Sequence, residues 1–377
     1  MNFYEFFAGG GMARLGLGDQ WRCLFANDID DMKAETYRAY FGDTGELCAQ
    51  DINTVTLAQI PGQADLAWAS FPCQDLSLAG NGAGLEGDRS GTFWPFWNII
   101  RGLKGEHRSP RVIVLENVYG TVTSHNGRDM AAICESLAAA GYRYAPMIID
   151  AQLFLPHSRP RLFIAAFGHG SQPPVDLIVQ GPMEQWHPKA FQFVRKLLSE
   201  NALENWLWIK LPLPTPHDIR FADIIENNPT GVDWHTPEET QRLLNLMSPL
   251  HRSKVEEAQR VGTVVVGTIY KRTRADEDGV RQQRAEVRFD GVAGCLRTPT
   301  GGSSRQIILV VEGESIRSRL LSPRETARLM GLPEDYPLPV RYNNAYHLAG
   351  DGVAVPVVAW LRQHLIEPAL IAVEEVA

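Results

Sequence analysis

Residues 6–18 read FFAGGGMARLGLG. An aromatic, apolar run ends in three consecutive glycines, and an amphipathic segment follows. Glycine lets a chain turn tightly and lets a ligand come close to the backbone, and a helix that starts there offers its unpaired amides. Gly9, Gly10 and Gly11 therefore predict a strand–turn–helix junction built around a ligand. A dinucleotide fingerprint would want its third glycine at position 14, where Arg14 stands. The turn by itself suits a nicotinamide dinucleotide, S-adenosylmethionine, or a tight bend with no ligand.

Outward from this junction, short apolar runs alternate with helical patterns. Strands are expected over Asn2–Phe7, Trp21–Ala26, Ala64–Ser70, Val112–Leu115, Tyr142–Ile149 and Leu162–Phe167. Helices are expected over Met12–Asp19, Asp31–Phe41 and Arg128–Ala140. Such alternation implies βαβ units and an α/β fold with a mostly parallel sheet, whose ligands bind beyond the carboxyl ends of the strands. After His169 the pattern breaks into irregular prolines and tryptophans up to about residue 250, then into strands at Val261–Tyr270 and Ile307–Val311. Helical periodicity returns at Ser322, in SPRETARLMG, and again over Val355–Leu365.

At 377 residues the chain has room for two domains, or for one large domain with an insertion. No uncharged apolar run reaches the roughly 20 residues of a membrane span. No basic leader precedes Glu5, and the five cysteines are odd in number with no CxxC spacing. A disulfide framework and a metal site are not expected, and a reduced, cytoplasmic setting is. The net charge of −8 is unevenly spread. Residues 252–305 carry eleven basic and seven acidic side chains, a balance of +4, and the remainder stands at −12. A basic face presented to a polyanion fits this split, as does a solvated surface of mixed charge.

The chemistry gathers at strand ends. Asp28, in ANDID, closes the second strand where a carboxylate can accept from ribose hydroxyls, and Asp51 follows a third segment where it can read an adenine edge. FPCQDLS places Cys73 at the end of Ala64–Ser70. A free thiol is only a few per cent thiolate at neutral pH, so a nucleophilic role needs help from its surroundings. VIVLENV places Glu116 and Asn117 at the end of the next strand. A cysteine and a carboxyl group thus reach one edge of the sheet from separate strands.

FPCQ followed by ENV resembles the DNA (cytosine-5) methyltransferase family, and the remaining motifs agree in order. FFAGGG is similar to that family's cofactor loop and ANDID to its ribose acid; HSRPR resembles its arginine-bearing strand start. RLLSPRETARLMGLPEDY resembles its penultimate motif, and GDGVAVPVV its last. The resemblance implies a class I S-adenosylmethionine-dependent methyltransferase fold, Rossmann-like and mostly parallel, with a smaller target-recognition domain inserted. It implies Cys73 as the nucleophile on cytosine C6, Glu116 as the group at N3, and Arg159 and Arg161 as the pair that holds the base and its phosphate. For S-adenosylmethionine it implies Phe7, Gly9, Gly11, Asp28, Ile29, Asp51, Ile52, Pro72 and Asp351. Two positions depart from the family's usual residues: His157 stands where glutamine is usual, and Asp351 where asparagine is.

A target base must leave the duplex before a thiol can reach it. The basic segment, with KRTR at 271–274 and CLRTPTGGSSRQ at 295–306, is expected to supply the DNA contacts through Arg272, Arg274, Arg297, Thr298, Ser303 and Arg305. The glycine-rich loop after Cys73 is expected to close on DNA and to bring Ser77 and Arg89 to it. The expected division is a catalytic domain over 1–169, a target-recognition domain over 170–318, and a return to the catalytic domain over 319–377. Double-stranded DNA is the expected partner, and a separate cognate restriction endonuclease is compatible with it. Three other readings remain open: the same chemistry on a tRNA cytosine, a nicotinamide-dependent oxidoreductase, and a catalytically silent DNA-binding relative.

Overall fold

A computed structural model of the chain describes residues 1–72, 91–275, 279, 281–297 and 305–371, with Arg274 by its backbone alone. Two compact units form. One comprises Met1–Asp150, Pro160–Thr215 and Val353–Ala377, the other Ala151–Arg159 and Pro216–Gly352.

The first unit is built on seven strands: β1 (Asn2–Phe6), β2 (Arg22–Asp28), β3 (Leu47–Ala49), β4 (Leu66–Ala69), β5 (Val112–Val118), β6 (Arg143–Asp150) and β7 (Pro160–Phe167). Their order is β3-β2-β1-β4-β5-β7-β6. The first five are parallel, and β7 runs antiparallel to both β5 and β6. β4 is buried along its whole length, as a strand covered on both faces must be. The ring of Trp68 in β4 meets that of Phe163 in β7 edge-on at 6.2 Å.

Among the described residues, helices α1 (Met12–Leu17), α2 (Asp31–Phe41), α3 (Phe93–Gly105) and α4 (Arg128–Ala139) accompany the strands. Asp30 caps α2 by accepting from the Lys33 amide, and Gly42, at φ +83°, ends it. Helix α3 was not foreseen in the sequence. Its buried residues Phe93, Phe96, Trp97, Ile100 and Leu103 recur at helical spacing, and Pro95 falls in the first turn, where no intrahelical amide is needed.

The stretch that looked irregular, from 170 to 215, packs with this unit. It contains β8 (Ile178–Val179), α5 (Ala190–Arg195), α6 (Glu200–Asn205) and β9 (Trp208–Ile209). The Leu207 amide donates to the Tyr144 carbonyl at 2.7 Å, and the Trp206 ring packs against Tyr144, Phe191 and Trp208. Aromatic burial of this kind orders a stretch that shows no regular periodicity in the sequence.

The second unit holds α7 (Pro237–Asn245), α8 (Pro249–Arg260) and an antiparallel sheet. Its strands are β10 (Val265–Ala275), β11 (Arg281–Arg288), β12 (Ile307–Glu312) and β13 (Ser315–Leu320), in the order β11-β10-β12-β13. Leu243, Met247, Val255 and Ala258 share a core with Ile269, Ala285, Val287 and Leu309. The strand expected from Val261 begins only at Val265, because α8 runs to Arg260 and Gly262 turns at φ +74°.

Helix α9 (Pro323–Arg328) starts at a capping box in which Ser322 and Glu325 satisfy each other's amides. Glu325 also forms a fully buried two-point pair with Arg319, at 2.6 and 2.7 Å. Helix α10 (Tyr342–Asp351) closes the unit. The chain then returns to the first unit as α11 (Val355–Leu361) and α12 (Glu367–Ile371). At Gly16 a Cβ would fall 2.4 Å from Val358 Cβ, so α1 and α11 meet across that glycine.

The compact units therefore divide the chain at other places than 169 and 318. Residues 170–215 lie with the first unit; 151–159 and 319–352 lie with the second.

Candidate active site

The parallel strands β1, β2, β3, β4 and β5 end at one edge of the sheet, and the glycine turn follows the first of them. Phe7 adopts φ +58°, a left-handed conformation uncommon outside glycine. Gly9 and Gly11 are left-handed too, but they serve different ends. A Cβ on Gly11 would fall 2.3 Å from Phe41 and 2.9 Å from Tyr37, so this glycine admits the rings of α2. Among the described residues, a Cβ on Gly9 would meet only Lys33, at 4.0 Å.

Asp28 holds the turn in place. Its Oδ2 accepts from the Gly9 amide at 2.7 Å and its Oδ1 from the Asp30 amide at 2.9 Å. A carboxylate has about four acceptor sites, so these bonds do not exhaust it. Next to it Asn27 donates to the Cys48 and Gln50 carbonyls and ties the ends of β2 and β3 together. Ile29 is 66% exposed, a large apolar side chain standing beside a polar turn. Asp51 caps a short 3₁₀ turn by accepting from the Asn53 amide, and Ile52 behind it is buried. The rings of Phe7, Phe71 and Phe93 follow one another at 6.5 and 5.5 Å, from the glycine turn to the start of α3.

Sequence reasoning missed Glu5. It lies in β1 under the glycine turn, buried, with Oε1 accepting from the Arg14 amide at 3.3 Å and Oε2 without a hydrogen-bond partner among the described residues. Burial pushes its carboxyl up to about 8; the Arg14 amide and charge oppose this, and the Asp28 charge adds to it. The available signal was an acid inside an otherwise apolar strand, FYEFF. The Asp28 carboxylate at this turn would repel a pyrophosphate. With the exposed Ile29 beside the turn, it suits a nucleoside carrying positive charge. S-adenosylmethionine is such a molecule, so the residues present fit it.

Two strands to the side, the antiparallel direction of β7 brings its first residues to the edge where β5 ends. Val118 pairs with Arg161 and Glu116 with Phe163, so Glu116 and Arg161 share a face as diagonal neighbours. Arg161 Nε lies 3.3 Å from Glu116 Oε1, with both side chains largely buried. Asn117 turns the other way. Its Nδ2 donates to the Phe71 carbonyl at 2.9 Å, and its Oδ1 accepts from the Val118 amide and the Thr121 hydroxyl. The end of β5 thereby grips the segment Phe71-Pro72, immediately before Cys73. Cys73 itself lies outside the described residues, as do Ser77, Arg89, Thr298 and Ser303.

The model of the C-5 cytosine-specific DNA methylases matches residues 1–367. The chain belongs to this family. The methylase is accordingly a DNA (cytosine-5) methyltransferase of class I fold, and its family uses S-adenosylmethionine. Among curated relatives, it is 27% identical to the type II methyltransferase M.HpaII of Haemophilus parainfluenzae, over 97% of this chain and 89% of the relative. To M.HhaI of Haemophilus parahaemolyticus it is 25% identical, over 97% and 94%. Its fold is similar to that of the S. pombe Dnmt2 methyltransferase, with TM-score 0.60, 18% identity and coverage of 99% and 98%. The Entamoeba histolytica methyltransferase EhMeth gives TM-score 0.60, 14% identity and coverage of 96% and 97%.

The second unit of the methylase holds the other residues singled out in the sequence. Arg159 is buried, and its guanidinium donates to the carbonyls of Leu296, Gly350 and Gly352 at 3.2, 2.8 and 2.6 Å. These bonds position backbone. His157 is fully buried, with Nδ1 2.8 Å from the Leu329 carbonyl and Nε2 accepting from the Leu296 amide at 3.2 Å. A neutral imidazole with one donor and one acceptor offers what a glutamine amide offers, which accounts for histidine at this position. Asp351 ends α10, and its carboxylate lies 2.8 Å from Nε2 of His347, one turn earlier. Arg272 and Arg297 are exposed, whereas Arg305 donates to Asn343 Oδ1 at 2.7 Å beside the Tyr342 ring.

Among the described residues, no helix is long and apolar enough to cross a membrane, and no cluster of His, Cys, Asp or Glu could hold a metal ion.

Proposed function

We propose that the protein transfers the methyl group of S-adenosylmethionine to C5 of a cytosine flipped out of a specific duplex DNA sequence, with Cys73 as the nucleophile. The observation that carries this reading is the double use of the β5 terminus. Glu116 is held by Arg161 at 3.3 Å, and the adjacent Asn117 anchors the Phe71 carbonyl, two residues before Cys73. A carboxyl group and the Phe71 backbone that leads towards Cys73 are held by one strand end.

The Cys73 thiolate adds to C6 of the ring and breaks its aromaticity, so that electron density builds at C5. Glu116 hydrogen-bonds or protonates N3, where the ring takes up the charge of that addition. Arg161 fixes the orientation of the Glu116 carboxyl and adds donors beside it. Bound S-adenosylmethionine supplies the electrophilic methyl group. After transfer, loss of the C5 proton re-forms the double bond and expels Cys73. Phe7, Gly9, Asp28, Ile29, Asp51, Ile52 and Pro72 would hold the cofactor on the first unit. Gly11 acts by letting α2 close on the turn. Arg159 and His157 act on the segment that leads into β7, and Asp351 is a further candidate at the methionine end of the cofactor.

The curated relatives are type II methyltransferases, which supports duplex DNA as the substrate. Labelled methyl donor offered with duplex DNA or with tRNA decides the point. 5-Methylcytosine is expected in the duplex, and transfer to tRNA alone would overturn the DNA reading.

A further inference from the structure

One stripe of helix α3 runs through Trp94, Pro95, Asn98, Ile99 and Gly102, positions three and four apart that lie one above another. Opposite it stands the chain from Ile52 to Gln59, two 3₁₀ turns (Ile52–Thr54 and Leu57–Gln59) joined by Val55 and Thr56. At Gly102 helix and segment meet, since a Cβ there would fall 2.7 Å from Leu57. Nearer the start of α3 they part. A cleft of about 390 Å³ lies there, its lining including Ile52, Leu57, Trp94, Pro95, Asn98 and Ile99.

Both walls are held in place. Arg108 donates to the carbonyls of Leu57, Ile60 and Gly62 at 3.3, 2.7 and 2.8 Å. The amide and hydroxyl of Thr56 both donate to Gln59 Oε1, at 2.8 and 2.9 Å, which fixes the second turn. On the helix side the Trp94 ring meets that of Phe93 edge-on at 5.0 Å.

Apolar side chains, one indole and a few polar groups are the make-up of a small-molecule site, and the volume is typical of such sites. Ile52 and Ile99 are buried whereas Asn53 and Asn98 are exposed, so the floor is apolar and carboxamides stand at the mouth. Beside Trp94, a planar aromatic ring suits this space.

The cleft reaches the cofactor site at Ile52, which with Asp51 meets the adenine edge on the reading above. Asp51 spends Oδ1 on the amide and the side-chain nitrogen of Asn53, both at 2.9 Å. Among the described residues its Oδ2 accepts no hydrogen bond, so it can take an N–H from the exocyclic amine of adenine. That amine has two hydrogens. Replacing one of them leaves the other for Asp51.

We propose that the cleft is an annex of the cofactor site which takes an aromatic substituent on the exocyclic nitrogen of the adenine. The chain therefore binds adenine-benzylated S-adenosylhomocysteine in preference to S-adenosylhomocysteine itself. This rests on the cofactor reading above and adds to it Trp94, Pro95 and Asn98, which the sequence did not single out.

Calorimetry on the full chain compares S-adenosylhomocysteine with its derivative benzylated on that nitrogen. The derivative is expected to bind about tenfold tighter, the gain from burying much of one phenyl ring. Asn98→Trp, at an exposed helix position, sets an indole at the mouth of the cleft. It should abolish the gain while leaving the affinity for S-adenosylhomocysteine within about twofold of wild type, because the two sites are separate. A derivative that binds wild type no tighter than the parent, or a gain that survives Asn98→Trp, would overturn the proposal. Failure of S-adenosylhomocysteine itself to bind the wild-type chain would instead sink the cofactor reading, and the annex with it.

Discussion

The guanidinium of Arg161 lies 3.3 Å from the carboxyl of Glu116, on a sheet face that both reach only because β7 runs against β5. A parallel β7 would have placed Arg161 at the opposite edge. The pair is therefore a product of strand direction, and it orients a carboxyl group that chemistry at a pyrimidine N3 requires.

Glu116→Gln keeps the shape of the site and removes the proton-transfer capacity. The turnover rate on DNA is expected to fall by about 10²- to 10⁴-fold with little change in cofactor affinity. Arg161→Ala, which leaves the carboxyl in place but unoriented, is expected to cost about 10²-fold. Single-turnover kinetics check both. A Glu116→Gln rate within threefold of wild type would remove Glu116 from the chemistry.

Glu5 makes stability depend on pH. Its carboxyl rises from 4.5 to about 8 in the folded protein, so the native state holds a proton that the unfolded state releases. The stability associated with this group is fully present below about 4.5 and is lost progressively as pH rises to about 8. The loss is on the order of 4 kcal/mol. Glu5→Gln cannot ionise, so it should gain on wild type between pH 5 and pH 8.5. Urea unfolding at the two pH values measures this, and a constant difference between the two proteins would contradict it.

The α1–α11 contact predicts a coupled pair. Gly16→Ala puts a methyl group within 2.4 Å of Val358 Cβ and should destabilise the first unit by about 1–3 kcal/mol. Val358→Gly removes that Cβ together with its methyl groups, so the double variant should be more stable than additivity allows. Strict additivity in thermal unfolding would mean that the helices do not meet at this glycine.

The buried Arg319–Glu325 pair should be intolerant of losing one partner. Glu325→Ala leaves a guanidinium without its counter-charge and also removes the acceptor of the Ser322 and Glu226 amides. A cost of about 3–5 kcal/mol is expected in unfolding of the second unit. A cost below 1 kcal/mol would mean that the pair is not buried as described.

Much of the first unit was legible in the sequence because its signals are local. Continuous apolar strands, the glycine turn and the ENV terminus each announce themselves within a few residues. The direction of β7 was not legible, since a strand's sequence does not record which way its neighbour runs. The second arginine of HSRPR meets Glu116; the first, Arg159, is drawn to the carbonyls of Leu296, Gly350 and Gly352, partners far away in sequence. Residues 170–215 looked irregular because their order comes from tryptophan and tyrosine packing rather than from periodicity. Glu5 was overlooked because one acid in a short strand is read as an edge position, whereas here it is sealed beneath the turn. The division into units was hidden for the same reason as Arg159: the Ala293 amide donates to the Pro156 carbonyl, a partner far away in sequence.

The central claim is a covalent bond between Cys73 and the target base. It is tested most directly with duplex DNA in which the target cytosine carries fluorine at C5, so that no C5 proton can be lost after methyl transfer. The wild-type protein with S-adenosylmethionine should form an adduct that survives denaturing electrophoresis, and Cys73→Ser should form none. An adduct of equal yield from Cys73→Ser, or methylation of ordinary DNA by that variant at the wild-type rate, would place the nucleophile elsewhere.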